Sequence, residues 1–161
     1  MIDVQTRTKD PTDIPVGPEP AGVAVTPDGK TAFVENNGNG TVSTIDVQTR
    51  TKDPTDIPVG PGAFGGVAVT PDGKTAFVAN DDNGTVSTID VQTRTKDPTD
   101  IPIGPGAFGA VKVTPDGSSV FIANGLSRMV STIDVKTRTK HPTDIDVGAI
   151  PVGVAFTPCR R

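Results

Sequence analysis

The 161-residue chain has no tryptophan, no tyrosine, one cysteine, one histidine and few apolar residues overall. Each absence removes a class of protein. Without Trp and Tyr, large aromatic layers cannot fill a core. The task falls to Val, Ile, Ala and Thr, which are small or β-branched and suited to strands. One cysteine excludes an intrachain disulfide framework and a cysteine-rich zinc site, and one histidine excludes a multi-histidine metal site within the chain. No apolar run nears 18 residues, so no membrane span is expected. Met1 leads directly into repeat sequence with no signal peptide, so the chain as written reads as cytoplasmic or as lacking a natural leader. Fifteen Lys and Arg stand against nineteen Asp and Glu, a net charge of −4, and this gives no basic excess for nucleic-acid binding.

What the chain does have is turn residues and repetition. Glycine (18) and proline (16) make up about a fifth of it and recur periodically, so they read as tight turns and not as disorder. The phrase IDVQTRTKDPTDI begins at Ile2, Ile45 and Ile89 and returns as IDVKTRTKHPTDI at Ile133. The spacing of 43–44 residues is the period of a repeat architecture. Residues 22–61 and 66–105 differ only at Glu35/Ala79, Asn37/Asp81, Gly38/Asp82 and Val59/Ile103. The third copy diverges more, with Lys112, Ser118-Ser119 and the loop Gly125-Leu126-Ser127-Arg128.

Each repeat predicts four short strands, a to d. Strand a is Gly22–Val25, ended by Thr26-Pro27-Asp28-Gly29, where proline fixes φ and Asp-Gly supplies an Asx bond and a positive φ. Strand b is Thr31–Val34, followed by a loop over residues 36–40. Strand c is the β-branched Thr41–Val47. Strand d includes Thr55-Asp56-Ile57 and is flanked by Pro54 and Pro58, which belong at a sheet edge. Four antiparallel strands per 43–44 residues with an edge-like last strand match a β-propeller blade. The fold class is therefore all-β, a propeller with about four blades in a single domain over residues 1–161.

The run GVAVTPDGKTAFVAN…NGTVSTIDVQTRT…IPVGPGAFGGVAVTPDG resembles the bacterial and archaeal YVTN-type β-propeller repeat. The tetrad of that family corresponds to Phe33-Val34-Glu35-Asn36, Phe77-Val78-Ala79-Asn80 and Phe121-Ile122-Ala123-Asn124, with phenylalanine for tyrosine in each copy. The resemblance implies a propeller of the kind found in surface-layer proteins and lactonase-like enzymes, commonly seven-bladed and often at the cell surface or secreted. This chain holds fewer blades. Residues 1–17 supply strands c and d of a split blade, residues 21–60, 65–104 and 109–147 supply three full blades, and residues 152–157 supply a lone strand a. Three arrangements follow: a four-bladed ring closed in cis, a homodimer that exchanges its ends, or a fragment of a longer propeller. Repeats cannot bury their faces alone, so a free open monomer is the state least expected.

In a propeller the d–a and b–c loops share one rim. Here it carries Glu19, Asn37, Asn39, Phe64, Asp81, Asp82, Phe108 and Arg128, the candidate ligand-binding set for a glycan or a protein. Asp81 and Asp82 offer oxygens of the kind Ca²⁺ takes, but glycine-bracketed Asn and Asp are also ordinary turn chemistry, so no metal or cofactor is expected. The opposite rim repeats Arg7, Arg50, Arg94 and Arg138, a candidate anion-binding ring. The competing reading is a set of solvated edge charges, each partly cancelled by nearby aspartates. His141 stands where the other copies have Asp10, Asp53 and Asp97, with no nucleophile near it in sequence. Cys159 lies beyond the last recognisable strand beside two arginines, a terminal thiol without an assigned role. No G-x-S-x-G, zinc motif or phosphate-cradling loop is present. The sequence therefore points to a non-enzymatic binding, interaction or structural scaffold. The resemblance keeps a lactonase-like hydrolase as the alternative, although near-identical repeats do not supply the unlike groups that catalysis needs.

Overall fold

A computed structural model of the chain describes residues 2–3, 5–62, 66–104, 106 and 109–157. It is an all-β structure built from three copies of one antiparallel sheet. The first sheet holds β3 (Pro20–Val25), β4 (Thr31–Asn36), β5 (Thr41–Asp46), β6 (Thr51–Lys52) and β7 (Ile57–Pro58). The second holds β8 (Val67–Val69), β9 (Thr75–Asn80), β10 (Thr85–Asp90), β11 (Thr95–Lys96) and β12 (Ile101–Pro102), and the third β13 (Val111–Val113), β14 (Ser119–Asn124), β15 (Met129–Asp134), β16 (Thr139–Lys140) and β17 (Ile145–Asp146). Ahead of them, β1 (Ile2–Asp3) and β2 (Thr8–Lys9) pair with Ile2 opposite Lys9, the same register as Ile45 opposite Lys52.

The a–b turn forms through its own side chains. Thr26 Oγ1 donates to Asp28 Oδ1 at 2.6 Å and accepts from the Thr31 amide at 3.0 Å, while the Lys30 amide donates to Asp28 Oδ1 at 3.1 Å. Residues 70–75 and 114–119 repeat the pattern. Strand c is buried on both faces: Val42, Ser43, Thr44 and Ile45 are all enclosed, as expected of a sheet stacked between neighbours.

The outer strand differs from the continuous strand d expected around Thr55-Asp56-Ile57. It is two short pieces: β6 pairs with the C-terminal half of β5, and β7 pairs with its N-terminal half. Asp53-Pro54-Thr55-Asp56 bridges the gap. A proline there has no N–H for the ladder, and the Thr55 amide turns back onto Asp53 Oδ1 at 3.2 Å. Pro58 itself lies inside the ladder, opposite Thr41.

Consecutive sheets stack face to face. Phe33, Val42, Ile57 and Val59 of the first pack on Val67, Ala76, Val78 and Ile89 of the second. Phe77, Val86, Ile101 and Ile103 of the second pack on Val111, Val120, Ile122 and Ile133 of the third. Residues 152–157, where a lone strand a is expected, carry no ladder, since no strand b stands beside them. They nevertheless lie along the third sheet, where the Phe156 ring meets Phe121 edge to face with centroids 5.2 Å apart.

Candidate functional site

The d–a segments meet the b–c loops through backbone bonds, so the rim inferred from sequence is one surface. The Asn37 and Gly38 amides donate to the Glu19 and Pro18 carbonyls at 3.1 and 3.2 Å, and the Asp81 amide donates to Gly62 O at 2.6 Å. This brings Glu19, Asn37, Asn39 and Asp82 into the lining of one open cleft of about 670 Å³, together with Gly40, Pro58, Gly60 and Gly62. Asn37 Nδ2 donates to Glu19 Oε2 at 3.2 Å, and Asn39 Oδ1 accepts the Thr41 hydroxyl at 2.8 Å. Asp81 adjoins the cleft, and its carboxyl is raised above the ordinary range by burial first and by the neighbouring Asp82 charge second. Arg128 stands apart from this cleft, exposed on the third blade. Phe64 and Phe108 lie outside the described residues.

Two of these residues are conformationally unusual. Glu19 has φ 52° where the equivalent positions of the later segments are Gly62, Gly106 and Ile150, with φ 70°, 89° and 40°. Arg128 has φ 62° where the other copies have Gly40 and Gly84, with φ 64° and 60°. The backbone role is unchanged, since the Val147 amide donates to Arg128 O as the Val59 amide does to Gly40 O. A side chain in the left-handed region costs about 1–2 kcal/mol where glycine costs little. Both substitutions therefore place a charge on the rim against the preference of the backbone.

On the opposite rim, Arg50, Arg94 and Arg138 each reach back to an aspartate of the preceding blade: Asp10, Asp53 and Asp97 respectively. Arg94 and its pair line a second open cleft, of about 580 Å³, between the outer strands of the first two blades. Arg7 has no ion pair among the described residues. Lysines are engaged similarly. Lys52, Lys96 and Lys140 sit 2.7 Å from Asp56, Asp100 and Asp144. Each of these aspartates accepts a hydroxyl from Ser43, Ser87 or Ser131 at 2.7–2.8 Å, and those serines accept from Asn36, Asn80 and Asn124 at 2.7–2.9 Å. An Asn–Ser–Asp–Lys relay thus crosses strands b, c and d in every blade.

Glu35 is the residue that the sequence reading did not select. It is wholly buried on β4, where the other repeats carry Ala79 and Ala123. Its Oε2 accepts the Gly66 amide of the next blade at 2.9 Å, and its Oε1 has no hydrogen-bond partner. A Cβ on Gly22 would fall 2.8 Å from Oε2, so glycine is what lets strand a pass the carboxylate. Burial pushes the carboxyl up to about 7, and the Gly66 N–H opposes this in part. The available signal was the Glu35/Ala79 difference at a strand b position between two otherwise matched repeats.

Among the described residues no group of three or more His, Cys, Asp and Glu could hold a metal ion, and no helix is long and apolar enough to cross a membrane. A family model described as YNCE-like beta-propeller matches residues 3–158. No curated protein matches the chain in sequence. Among solved structures, hydrazine synthase of Kuenenia stuttgartiensis superposes with a TM-score of 0.69 at 24% identity, over 86% of this chain and 40% of that one. A candidate 6-phosphogluconolactonase from Bacteroides uniformis gives 0.70 at 15% identity, over 90% and 48%. Its counterpart from Bacteroides fragilis gives 0.69 at 19%, over 92% and 47%. The chain spans less than half the length of each of these structures.

Proposed function

Because the chain belongs to the YNCE-like β-propeller family, we propose that it is a non-enzymatic binding and scaffolding module whose ligand sits on the rim formed by the d–a and b–c loops. Within the family its repeats are of the YVTN type, on the strength of the Phe-Val/Ile-x-Asn tetrads. The carrying observation is Glu19. A carboxylate occupies a left-handed position filled by glycine at Gly62 and Gly106 and by an apolar side chain at Ile150, and it lines a cleft shared with Asn37, Asn39 and Asp82. A site made of carboxylates, amides and open backbone suits a ligand bearing hydroxyl and ammonium groups, such as an amino-sugar glycan. Calorimetric titration with neutral, amino-sugar and acidic oligosaccharides tests this. Amino-sugar binding that is lost in Glu19→Gly, while thermal stability rises, is the expected result. Equal affinity in wild type and Glu19→Gly removes the reading.

A second reading, lactone hydrolysis, is favoured by the descriptions of two structural neighbours and by the raised carboxyl of Glu35. Glu35 points at backbone between blades and does not line the rim cleft, which leaves it the weaker reading. Turnover of a sugar lactone by purified protein, lost in Glu35→Gln, would reverse that order.

A further inference from the structure

Glu35 joins the two segments that supply most of the lining of the rim cleft, the loop from Asn37 to Gly40 and the stretch from Gly60 to Gly62. It stands two residues before Asn37 on β4, so it is fixed to the first segment. Its Oε2 accepts the amide of Gly66, four residues after Gly62, which ties it to the second. The junction between the first two blades is shaped around this bond. Strand a is bulged at the contact: Pro20 lies opposite Asn36 and Val23 opposite Val34, so Ala21 and Gly22 together face Glu35. A Cβ on Gly22 would fall 2.8 Å from Oε2 and 3.0 Å from the Gly66 Cα, so the a strands of both blades close on the carboxylate. At the second junction the same position is Ala79, which offers no acceptor.

We propose that Glu35 is a proton-operated brace of the rim cleft: neutral, it holds the first two blades together beside the cleft, and ionised, it lets their junction open to water. The consequence for a ligand bridging Glu19 and Asp82, faster release once the junction opens, rests on the rim reading above; the brace itself does not.

The buried position is what makes the proton matter. Glu35 is 0% exposed and its Oε1 has no partner, so the anion keeps one hydrogen bond where water would give it several. Among the described residues no cation compensates it. β3 brings Ala21, Gly22 and Val23 to it, β5 brings Val42, and the next blade brings Gly66 and Val67. Residues 63–65 are Ala, Phe and Gly, without a titratable group. The charged groups of the adjoining rim, Glu19, Asp81 and Asp82, are all acidic. In the closed junction burial therefore holds the proton on Glu35 to about 7, against an ordinary 4.5. Wetting restores the ordinary affinity, so opening releases a proton. Opening grows easier as pH rises from 4.5 to 7 and gains nothing further above that.

Amide hydrogen exchange of the full chain, followed by NMR from pH 5 to 8 and corrected for the intrinsic rate of each amide, tests this. The repeat supplies its own control. The Gly60 amide donates to Gly40 O beside the first junction, and the Gly104 amide donates to Gly84 O beside the second, both at 3.1 Å. Opening at Gly60 is expected to rise on the order of 50- to 100-fold across that range, levelling off above pH 7, while Gly104 stays flat. Glu35→Ala, which installs the residue of the other two repeats, is expected to flatten Gly60 as well. Equal pH dependence at Gly60 and Gly104 would mean that only unfolding of the whole chain wets Glu35, and it overturns the brace. So does a flat Gly60 in wild type, or a pH-dependent Gly60 that persists in Glu35→Ala. No arm needs a ligand, so exchange as expected without amino-sugar binding supports the brace and removes the rim reading alone.

Discussion

Glu35 provides the sharpest test of the packing between blades, because its charge sits where nothing neutralises it. The carboxyl is raised from 4.5 to about 7 by burial, so the folded chain holds this proton more tightly than the unfolded chain does. At 1.36 kcal/mol per tenfold change in proton affinity, the difference is worth about 3 kcal/mol. The sign follows from which state binds more protons. Below pH 4.5 both states are protonated and the stability is fully present. Between 4.5 and 7 the unfolded chain ionises first, so stability falls as pH rises, and above 7 the loss is complete. Glu35→Gln keeps an acceptor for the Gly66 amide and cannot ionise. Its advantage over wild type is therefore close to nothing near pH 4.5 and grows to about 3 kcal/mol at pH 8, or roughly 6–12 °C in Tm for a chain of this size.

Urea unfolding followed by circular dichroism at several pH values between 5 and 8 measures this directly. The aspartates whose carboxyls are lowered by turn hydrogen bonds, Asp28, Asp72 and Asp116 among them, are ionised in both states throughout that window and add no slope. Glu35→Ala, which installs the residue of the other two repeats, is a second variant with the same expected pH trend. If the difference between variant and wild type stays flat from pH 5 to 8, the carboxylate is not held in a desolvated interface and the reasoning fails.

The remaining predictions concern other parts of the fold. Ser87→Ala breaks the relay between Asn80 and Asp100 and leaves Asn80 Nδ2 with only the longer contact to Thr85, at 3.3 Å; a cost of about 2–3 kcal/mol in urea unfolding is expected. A double-mutant cycle on Arg94→Gln and Asp53→Asn should give a coupling below about 1 kcal/mol that fades in high salt, because the pair is partly exposed. Asp116 is held at about 2 by the Thr114 hydroxyl first and the Ser118 amide second. Its contribution is present above pH 3.8 and lost as pH falls through 2, so Asp116→Asn should flatten the acid limb of a Tm-against-pH curve. Arg128→Gly should raise stability by about 1 kcal/mol by relieving a left-handed arginine, as read by thermal unfolding.

The blades were legible because their punctuation is chemical. Thr-Pro-Asp-Gly closes on its own side chains before any tertiary contact exists, and the β-branched run after it has only one good use. The outer strand was harder to read because its shape depends on left-handed arginines. Arg7, Arg50, Arg94 and Arg138 have φ of 55–60° in the c–d turn, a conformation for which sequence rules look to Gly or Asn. They hold it because the turn returns two bonds at once: the Arg50 amide to Asp46 O at 2.8 Å and the Thr49 amide to Asp46 Oδ1 at 2.7 Å. On the rim, the sequence reading named Glu19, Asn37, Asn39 and Asp82 as candidates. It did not show that Asp82, from the second blade, lines one cleft with the other three. Glu35 escaped because a glutamate in a strand reads as solvent-facing, and only stacking against Gly66 of the next blade buries it.

The repetition itself separates architecture from function. What recurs in all three blades has a structural explanation here: the Asn–Ser–Asp–Lys relay links strands b, c and d, and the Arg–Asp pairs tie one blade to the next. Those residues include most of the polar side chains that a reader searching for a site would choose first. The three copies act as controls for one another, so a residue with a task of its own must be one that breaks the repeat without improving the fold. Glu19 and Arg128 bear backbone strain that glycine avoids, and Glu35 leaves an oxygen unpaired where alanine would not. None of the three improves a single blade, so their reasons lie in what the blades contact.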